Sequence, residues 1–184
     1  MTAHVGDFGL AKFLTRNSNN SDGGQTSSLA IKGSIGYVAP EYGIAGKAST
    51  KGDVYSYGIL LLEMLTGKRP TYELFTNGQS LHEFCMLVLP EGVMEIVDSR
   101  MLEEPVEAEN DAQNERVRQA KIRECLISLV RIGVACSMES PGERMNIKDV
   151  IIGLMKIKEV FLGVGIHGRR QLRMRLAGEG TSTE

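Results

Sequence analysis

The sequence predicts a mainly α-helical fold. Helical patterns follow one another from about residue 49 onward, whereas the alternating apolar pattern of strands is nearly absent. Ser49 and Thr50 are good N-cap candidates for a helix that ends near Thr66, with Gly67 as its stop signal. Of the 184 residues, 42% are apolar and 24% charged, which is typical of a globular domain or a large piece of one.

The predicted elements follow one another in a simple order. Residues 3–9 resemble a short strand that enters a turn, and residues 15–33 have the Ser, Thr, Asn and Gly content of a long functional or mobile loop. The helix from residue 50 to about 66 is apolar on nearly every face, which predicts a buried central helix. A second helical region spans about 80–97 with an interruption at Pro90, and the acidic residues 103–111 form a surface loop.

Two amphipathic helices are predicted toward the C-terminal end. In each, apolar residues recur three and four positions apart, and we interpret the two stripes as core-packing faces rather than cofactor sites. The first stripe comprises Ile122, Leu126, Leu129, Ile132, Gly133 and Cys136. The second, capped by Asn146, comprises Ile147, Ile151, Leu154, Ile157 and Phe161.

Composition excludes several classes of function. A net charge of −2 and a pI near 6.0 give no reason to expect nucleic-acid binding. The cysteines, Cys85, Cys125 and Cys136, lack the spacing of a zinc site or a disulfide framework, so we expect buried thiols in a reducing cytosol. No signal peptide is visible, and the run from Ile59 to Leu62 is too short to span a bilayer.

The C-terminal residues 164–184 form a basic and flexible tail in this prediction. Its cationic residues are Arg169, Arg170, Arg173 and Arg175. A short run of this kind is usually a solvated end, and a lipid- or nucleic-acid-binding role is the alternative.

Two short motifs bracket the predicted loop. Asp7-Phe8-Gly9 precedes Ala39-Pro40-Glu41 by about thirty residues, and in this order the two motifs bound a kinase activation segment. The stretches GSIGYVAPEY (33–42) and GDVYSYGILLLEMLTGKRP (52–70), followed by Arg144 in SPGERMNIKDV, make the combination specific.

With these motifs the chain resembles the protein-kinase superfamily, and it is most similar to plant leucine-rich-repeat receptor-like Ser/Thr kinases. The resemblance covers about residues 1–163, with an activation segment at 7–41 and a helical C-lobe at 49–163. It implies the C-terminal part of a kinase domain, in which the N-lobe and the catalytic loop are missing.

The resemblance also implies roles for single residues. Asp7 matches the kinase Asp that binds Mg²⁺ at the nucleotide phosphates, Phe8 packs below it, and Gly9 allows the turn. Ser34 stands where these kinases place a hydroxyl near the catalytic Asp, while His4 is a structural residue before the turn.

Three further residues are assigned structural roles by the same resemblance. Glu41 is expected to form a buried pair with Arg144 that ties the activation segment to the helical core. Asp53 matches an Asp that accepts hydrogen bonds from catalytic-loop amides, and a first-turn Asp favoured by the helix dipole is the alternative.

The hydroxyl-rich loop offers candidate phosphorylation sites. A phosphate there adds about −1.5 to −2 charges and can order a loop against basic side chains, whereas solvated hydroxyls without that role are the alternative. The candidates are Thr26, Ser27, Ser28 and Ser34.

The sequence contains no catalytic Asp motif, Gly-rich loop or phosphate-holding Lys, although kinase chemistry needs all three. We therefore expect the chain alone to be catalytically incomplete and to bind no cofactor, and Mg²⁺ and ATP to be used only by an intact parent. Exposed apolar area on the central helix would then favour aggregation or partner binding.

Expected partners are protein substrates or other kinases, on the cytoplasmic side of a membrane receptor, with membrane contact only through a transmembrane segment of the parent. A non-catalytic C-lobe polypeptide that binds or regulates other proteins, or a truncated gene model, is the alternative.

Overall fold

The structure is a computed structural model that describes His4, Gly6 and residues 34–45, 49–75, 78–102 and 112–163. Six α-helices lie in these ranges: α1 Pro40–Ala45, α2 Thr50–Thr66, α3 Leu81–Leu87, α4 Val93–Ile96, α5 Ala112–Cys136 and α6 Ile147–Phe161. The prediction of a mainly α fold is confirmed, since all regular elements of the described ranges are helical. None of these helices has the length and apolarity needed to cross a membrane.

Both ends of α2 are fixed by the residues that the sequence indicated. At the start, the Ser49 side chain accepts a hydrogen bond from the Gly52 N–H at 3.0 Å. At the end, Gly67 adopts a left-handed conformation with φ 67°, and its N–H donates to the Glu63 carbonyl at 2.7 Å. A residue with a side chain is disfavoured at this φ, so the glycine explains why the helix stops here.

The core is organised around α2. Ile59, Leu62 and Leu65 are at most 2% exposed. They belong to one cluster with Leu81 of α3 and Val130 of α5, so α2 is the central helix of the described fold. All three cysteines are buried free thiols, as predicted.

One face of α2 departs from the prediction of burial on nearly every side. Leu60 is 46% and Met64 64% exposed. The two residues lie four apart, so they share a face that the described residues leave open.

The region 80–97 divides into two helices, as its proline indicated. Ser80 accepts a hydrogen bond from the Glu83 N–H, and the Glu83 carboxylate accepts one from the Ser80 N–H, which forms a capping box for α3. The turn at 88–92 then separates α3 from α4. Leu81 and Val93 anchor the two helices in the core at 1% and 0% exposure.

The packing prediction is confirmed for α5 and wrong in part for α6. In α5, Leu126, Ile132, Gly133 and Cys136 are buried. In α6, Ile147, Ile151 and Phe161 are 48%, 51% and 61% exposed, and Val150, outside the predicted stripe, is 1% exposed. The reason is that α6 packs on α5 along one side only, through Val150, Leu154 and Ile157.

Candidate functional site

The Ala39-Pro40-Glu41 motif forms the start of α1. Ala39 is buried at 1% exposure, and Pro40 is the first residue of the helix, where a missing N–H is tolerated. Glu41 follows in the first turn, a position at which the helix dipole favours a carboxylate.

The carboxylate of Glu41 meets the guanidinium of Arg144 across 103 residues of sequence. Arg144 Nη1 and Nη2 donate to Glu41 Oε1 and Oε2, each at 2.7 Å, in a bidentate arrangement. The Arg144 side chain is fully buried, whereas 22% of the Glu41 side chain is exposed. The predicted contact is therefore present, with burial on the arginine side.

Arg144 also holds three backbone segments together. It donates to the carbonyls of Met138, Glu139 and Lys51 at 2.7, 2.8 and 3.0 Å. Together with the two bonds to Glu41, these contacts use all five N–H groups of the guanidinium. A single side chain thus joins α1, the first turn of α2 and the connection between α5 and α6.

Two neighbours complete this environment. The guanidinium carbon of Arg144 lies 5.0 Å from the ring centroid of Tyr55, in cation–π geometry. Lys51 Nζ donates to the Arg144 carbonyl at 3.2 Å. The hydrogen bonds from Arg144 hold the pKa of Glu41 below its usual value of 4.5, and partial burial opposes this shift.

The segment before α1 lies against α2 through Tyr37. The Tyr37 hydroxyl donates to Glu63, and the Ser56 hydroxyl donates to the Tyr37 carbonyl at 2.7 Å. Burial, followed by the hydrogen bond and charge of Glu63, raises the pKa of Tyr37 to about 12. The hydroxyl and the backbone carbonyl of Tyr37 therefore both form hydrogen bonds with α2.

Gly36 allows the same segment to approach the turn that follows α2. Its φ is +89°, and a Cβ at this position would lie 2.8 Å from Cγ of Pro70. A larger residue would meet both backbone strain and a steric clash here. Ser34 and Ile35, immediately before Gly36, are exposed.

Asp53 is an exposed residue in the first turn of α2, and it lines an open cavity of about 420 Å³. The cavity lies between this turn and residues 145–147, and its apolar lining residues are Val54, Tyr57, Met145 and Ile147. A carboxylate at the edge of an apolar cavity can accept hydrogen bonds from a polypeptide whose apolar side chain enters the cavity.

Six of the predicted site residues lie outside the described residues. These are Asp7, Phe8 and Gly9 of the predicted nucleotide site, and Thr26, Ser27 and Ser28, the candidate phosphorylation sites. In the described ranges, no group of three or more His, Cys, Asp or Glu side chains is placed to hold a metal ion. The one predicted Mg²⁺ ligand, Asp7, is not among the described residues.

The sequence did not predict the hydrogen-bond partners of Tyr37 or the contact of Arg144 with Tyr55. Ser56, Glu63 and Tyr55 lie on α2, and their positions are fixed by its packing rather than by a local pattern. Their one signal in the sequence is that all three lie within the stretch 52–70, which as a whole carries the family resemblance.

These contacts join the start of α1, at Pro40 and Glu41, to Arg144 just before α6. The sequence that forms them also matches a known family. Residues 1–154 match the model of the family described as protein tyrosine and serine/threonine kinase, so the chain belongs to that family. The kinase prediction is confirmed, and with it the mainly helical kinase fold.

Among curated proteins, relatives are receptor kinases of plants. An LRR receptor-like serine/threonine-protein kinase of Arabidopsis thaliana is 42% identical over 161 residues, which are 88% of this chain and 15% of that protein. The receptor kinase-like protein Xa21 of Oryza sativa subsp. japonica is 42% identical over 164 residues, 89% of this chain and 16% of its own length. The chain thus spans less than a fifth of the curated relatives that it matches.

Among solved structures, the pseudokinase domain of BIR2, an immune regulator of the RLK/Pelle family, is 28% identical. The likeness covers 68% of this chain and 34% of that chain, with a TM-score of 0.46.

Proposed function

We propose that this chain supplies the activation segment and helical C-lobe of a receptor-like Ser/Thr protein kinase. Residues 7–41 form the activation segment, residues 49–163 the C-lobe, and residues 164–184 a basic tail. In a longer parent, these residues take part in ATP-dependent phosphoryl transfer to protein Ser or Thr. The family match over residues 1–154 is the observation that carries this proposal.

The chain by itself transfers no phosphate in this proposal. Residues 1–184 contain no Gly-rich loop, no phosphate-holding Lys and no catalytic-loop Asp, and Asp7 alone offers one carboxylate to Mg²⁺. In the parent, ATP would supply the phosphoryl group, and Mg²⁺ would neutralise the charge on its phosphates. Asp7 would be one ligand of this metal ion.

We further propose that Asp53 and the cavity beside it receive the catalytic-loop segment of the parent. The exposed carboxylate and the apolar lining of Val54 and Tyr57 support this assignment. The exposed apolar face of α2, Leu60 and Met64, would be covered by the same part of the parent.

Regulation is proposed to act on the hydroxyls of the activation segment. Another kinase molecule would phosphorylate residues among Thr26, Ser27, Ser28 and Ser34. The exposure of Ser34 supports access at that position. Peptide mass spectrometry after incubation with an active receptor-like kinase would test this, and phosphorylation confined to 165–184 would contradict it.

The proposed location is the cytoplasmic side of a plasma-membrane receptor, with protein substrates or other kinases as partners. The receptor kinases among the relatives support this location.

A chimaera provides the direct test of the kinase function. The residues of the receptor kinase-like protein Xa21 that precede its match to this chain would be fused before His4. We expect the purified chimaera to transfer labelled phosphate to Ser or Thr and to lose this activity in Asp7→Asn. Asp22→Asn, which removes the same charge inside the loop, is the matched control and is expected to remain active.

The unfused chain provides the second half of the test. A nucleotide at 100 times its dissociation constant stabilises a protein by about 2.7 kcal/mol, which moves a melting midpoint by several degrees. We expect neither such a shift with Mg·ATP nor phosphate transfer by residues 1–184. Transfer by the unfused chain that disappears in Asp7→Asn would overturn the proposal of incompleteness.

A non-catalytic binding polypeptide is the second candidate, and the exposed apolar side chains of α6 favour it. Ile151, Met155 and Phe161 are 51%, 60% and 61% exposed. An inactive chimaera, together with saturable binding of a receptor kinase that is lost in Ile151→Asp, would support this candidate over the kinase function.

A further inference from the structure

One line of side chains on α6, which we call the outer stripe, faces away from the rest of the described fold. Its members recur at intervals of four, three and four residues, so they lie above one another along the helix. They are Lys148, Ile152, Met155 and Glu159. Val150, at 1% exposure, lies on the opposite side of the helix, where α6 packs on α5. Ile152 and Met155 are 51% and 60% exposed, so the apolar middle of the outer stripe is open to solvent.

The two ends of the outer stripe carry opposite charges. Lys148 stands at its start and Glu159 at its end, with the apolar side chains between them. If a second copy of this helix lies against the first in antiparallel orientation, the lysine end of each copy meets the glutamate end of the other. In parallel orientation, lysine would meet lysine and glutamate would meet glutamate, which is unfavourable. The outer stripe is therefore complementary to itself in the antiparallel orientation.

The residues beside the outer stripe show the same complementarity. Asp149 and Lys156 are exposed, and each directly follows a member of the stripe, so both flank it on one side. In an antiparallel pair of helices, flanking positions of this kind face each other across the contact, so Asp149 of each copy meets Lys156 of the other. Ile151 and Lys158 flank the other side, where the methylene stem of the lysine can cover the isoleucine.

We infer that the outer stripe of α6 is a self-association surface, on which a second copy of this chain docks its own α6 in antiparallel orientation about a two-fold axis. Ile152 of each copy then packs against Met155 of the other. The stripe is about 16 Å long, and a contact of this extent buries less than about 1,200 Å², so the dimer is weak and reversible. This inference concerns α6 and does not depend on the proposed kinase function.

Sedimentation equilibrium of the full chain at micromolar to millimolar concentration tests the inference. We expect the apparent mass to rise from 20.1 kDa toward twice that value and then to level off. The mass should stop there because a two-fold contact uses the same surface on both copies and leaves none for a third. A constant mass, or a mass that continues to rise beyond the dimer, would overturn the inference.

A substitution in the middle of the outer stripe tests where the contact lies. Met155→Glu introduces two carboxylates near the two-fold axis and is expected to weaken dimerisation by at least about tenfold. Because Met155 is 60% exposed, the fold should be retained, and circular dichroism checks this. Met64→Glu, at a methionine of α2 that is 64% exposed, is the matched control and is expected to leave the dimer unchanged. Equal effects of the two variants would show that association is not confined to α6 and would overturn the assignment.

Exchanged charges test the antiparallel orientation. Lys156→Glu brings a carboxylate against Asp149 of the second copy, and Asp149→Lys brings two lysines together, so each variant alone is expected to dimerise about two- to tenfold more weakly. An equimolar mixture of the two variants should form a mixed dimer with an affinity near that of the unaltered chain, because opposite charges then meet at both places. Fluorescence-detected sedimentation of one labelled variant measures this recovery. A mixture that associates no more tightly than either variant alone would overturn the antiparallel orientation.

Discussion

Gly58 of α2 lies directly against Gly133 of α5, where the two longest described helices pack on each other. A Cβ added at Gly58 would lie 2.8 Å from the Gly133 carbonyl oxygen and 2.7 Å from the Cβ of Cys136. A Cβ added at Gly133 would in turn lie 2.6 Å from Cδ2 of Leu62. The two backbones can approach this closely because neither residue carries a side chain.

Gly58→Ala is therefore expected to destabilise the chain by about 1–3 kcal/mol. The clash involves backbone atoms that cannot move aside, and it outweighs the gain in helix propensity of about 1 kcal/mol that alanine brings. Urea unfolding followed by circular dichroism measures the change. Gly43→Ala in α1, where nothing lies within 4 Å of the added Cβ, is the control and is expected to be neutral or stabilising. Similar losses in both variants would show that packing is not the cause.

Arg144→Ala is expected to cost about 3–5 kcal/mol of unfolding free energy, since it removes the ion pair with Glu41 and the hydrogen bonds to three carbonyls. Arg144→Lys keeps the charge but not the five-donor fork, so an intermediate loss of about 1–3 kcal/mol is expected. The exposed Arg118, paired with Glu115, serves as the control, and Arg118→Ala is expected to change stability by at most about 1 kcal/mol.

The lowered pKa of Glu41 also sets the direction of a pH dependence. A carboxyl group with a folded-state pKa below its unfolded value stabilises the fold above the usual pKa of 4.5 and loses this contribution as pH falls through the folded value. This loss of stability at low pH should be absent from Arg144→Ala. A parallel acid response in the two proteins would contradict this account of Glu41.

His82 is expected to weaken the fold on mild acidification. Its Nδ1 lies 2.8 Å from Ser137 Oγ, and burial lowers the pKa of the imidazole, although the charges of Glu83 and Glu139 oppose this shift. Ser137 Oγ also lies 2.8 Å from the Gly133 carbonyl, so the hydroxyl can donate to that carbonyl and accept from Nδ1.

Because the folded-state pKa of His82 is depressed, the unfolded chain binds more protons below its own pKa of about 6.5. The contribution of His82 is therefore complete above that pH and is lost as pH falls through the folded value. Unfolding free energies measured from pH 7.5 to 5.5 should decline in the unaltered chain and decline less in His82→Gln. An equal decline would assign the pH dependence to other groups.

Tyr37 should titrate at about 12, well above the ordinary tyrosine pKa of 10. Absorbance at alkaline pH reports the phenolate, over the range in which circular dichroism shows intact structure. Glu63→Gln removes the charge that opposes ionisation, so the pKa of Tyr37 is expected to fall, while burial keeps it above 10. Tyr37→Phe should remove this step altogether.

The stability linked to Tyr37 has the opposite pH direction to that of Glu41. Its raised pKa makes the contribution complete below the unfolded value of about 10, and the contribution is lost as pH rises through about 12. An alkaline titration that is the same in Glu63→Gln and in the unaltered chain would contradict the role of Glu63.

Local sequence signals predicted what depends on local geometry. Ser49 and Gly67 bound α2 because capping needs only a side-chain oxygen at one end and a left-handed residue at the other. The Glu41–Arg144 contact was also predicted, although its partners lie 103 residues apart, because a family resemblance supplied the pairing that periodicity does not contain.

The burial of α6 shows where such signals fail. Its apolar residues occupy more of the helix circumference than α5 covers, so the stripe of Ile147, Ile151 and Phe161 was assigned to the core while Val150 was not. Periodicity identifies an apolar face but not how much of it another element covers. The attachment of Tyr37 to Ser56 and Glu63 was missed for a related reason, since the packing angle of a loop on a helix has no repeat in sequence.

The sequence separation of Glu41 and Arg144 bears on the rates of folding and unfolding. A contact across 103 residues closes a long loop, which must lose much of its entropy before the contact forms. We therefore expect the contact to be largely absent from the folding transition state, as for interactions with low φ-values. Its loss in Arg144→Lys should appear mainly as faster unfolding and leave the refolding rate almost unchanged, so this arginine governs how long the folded chain persists.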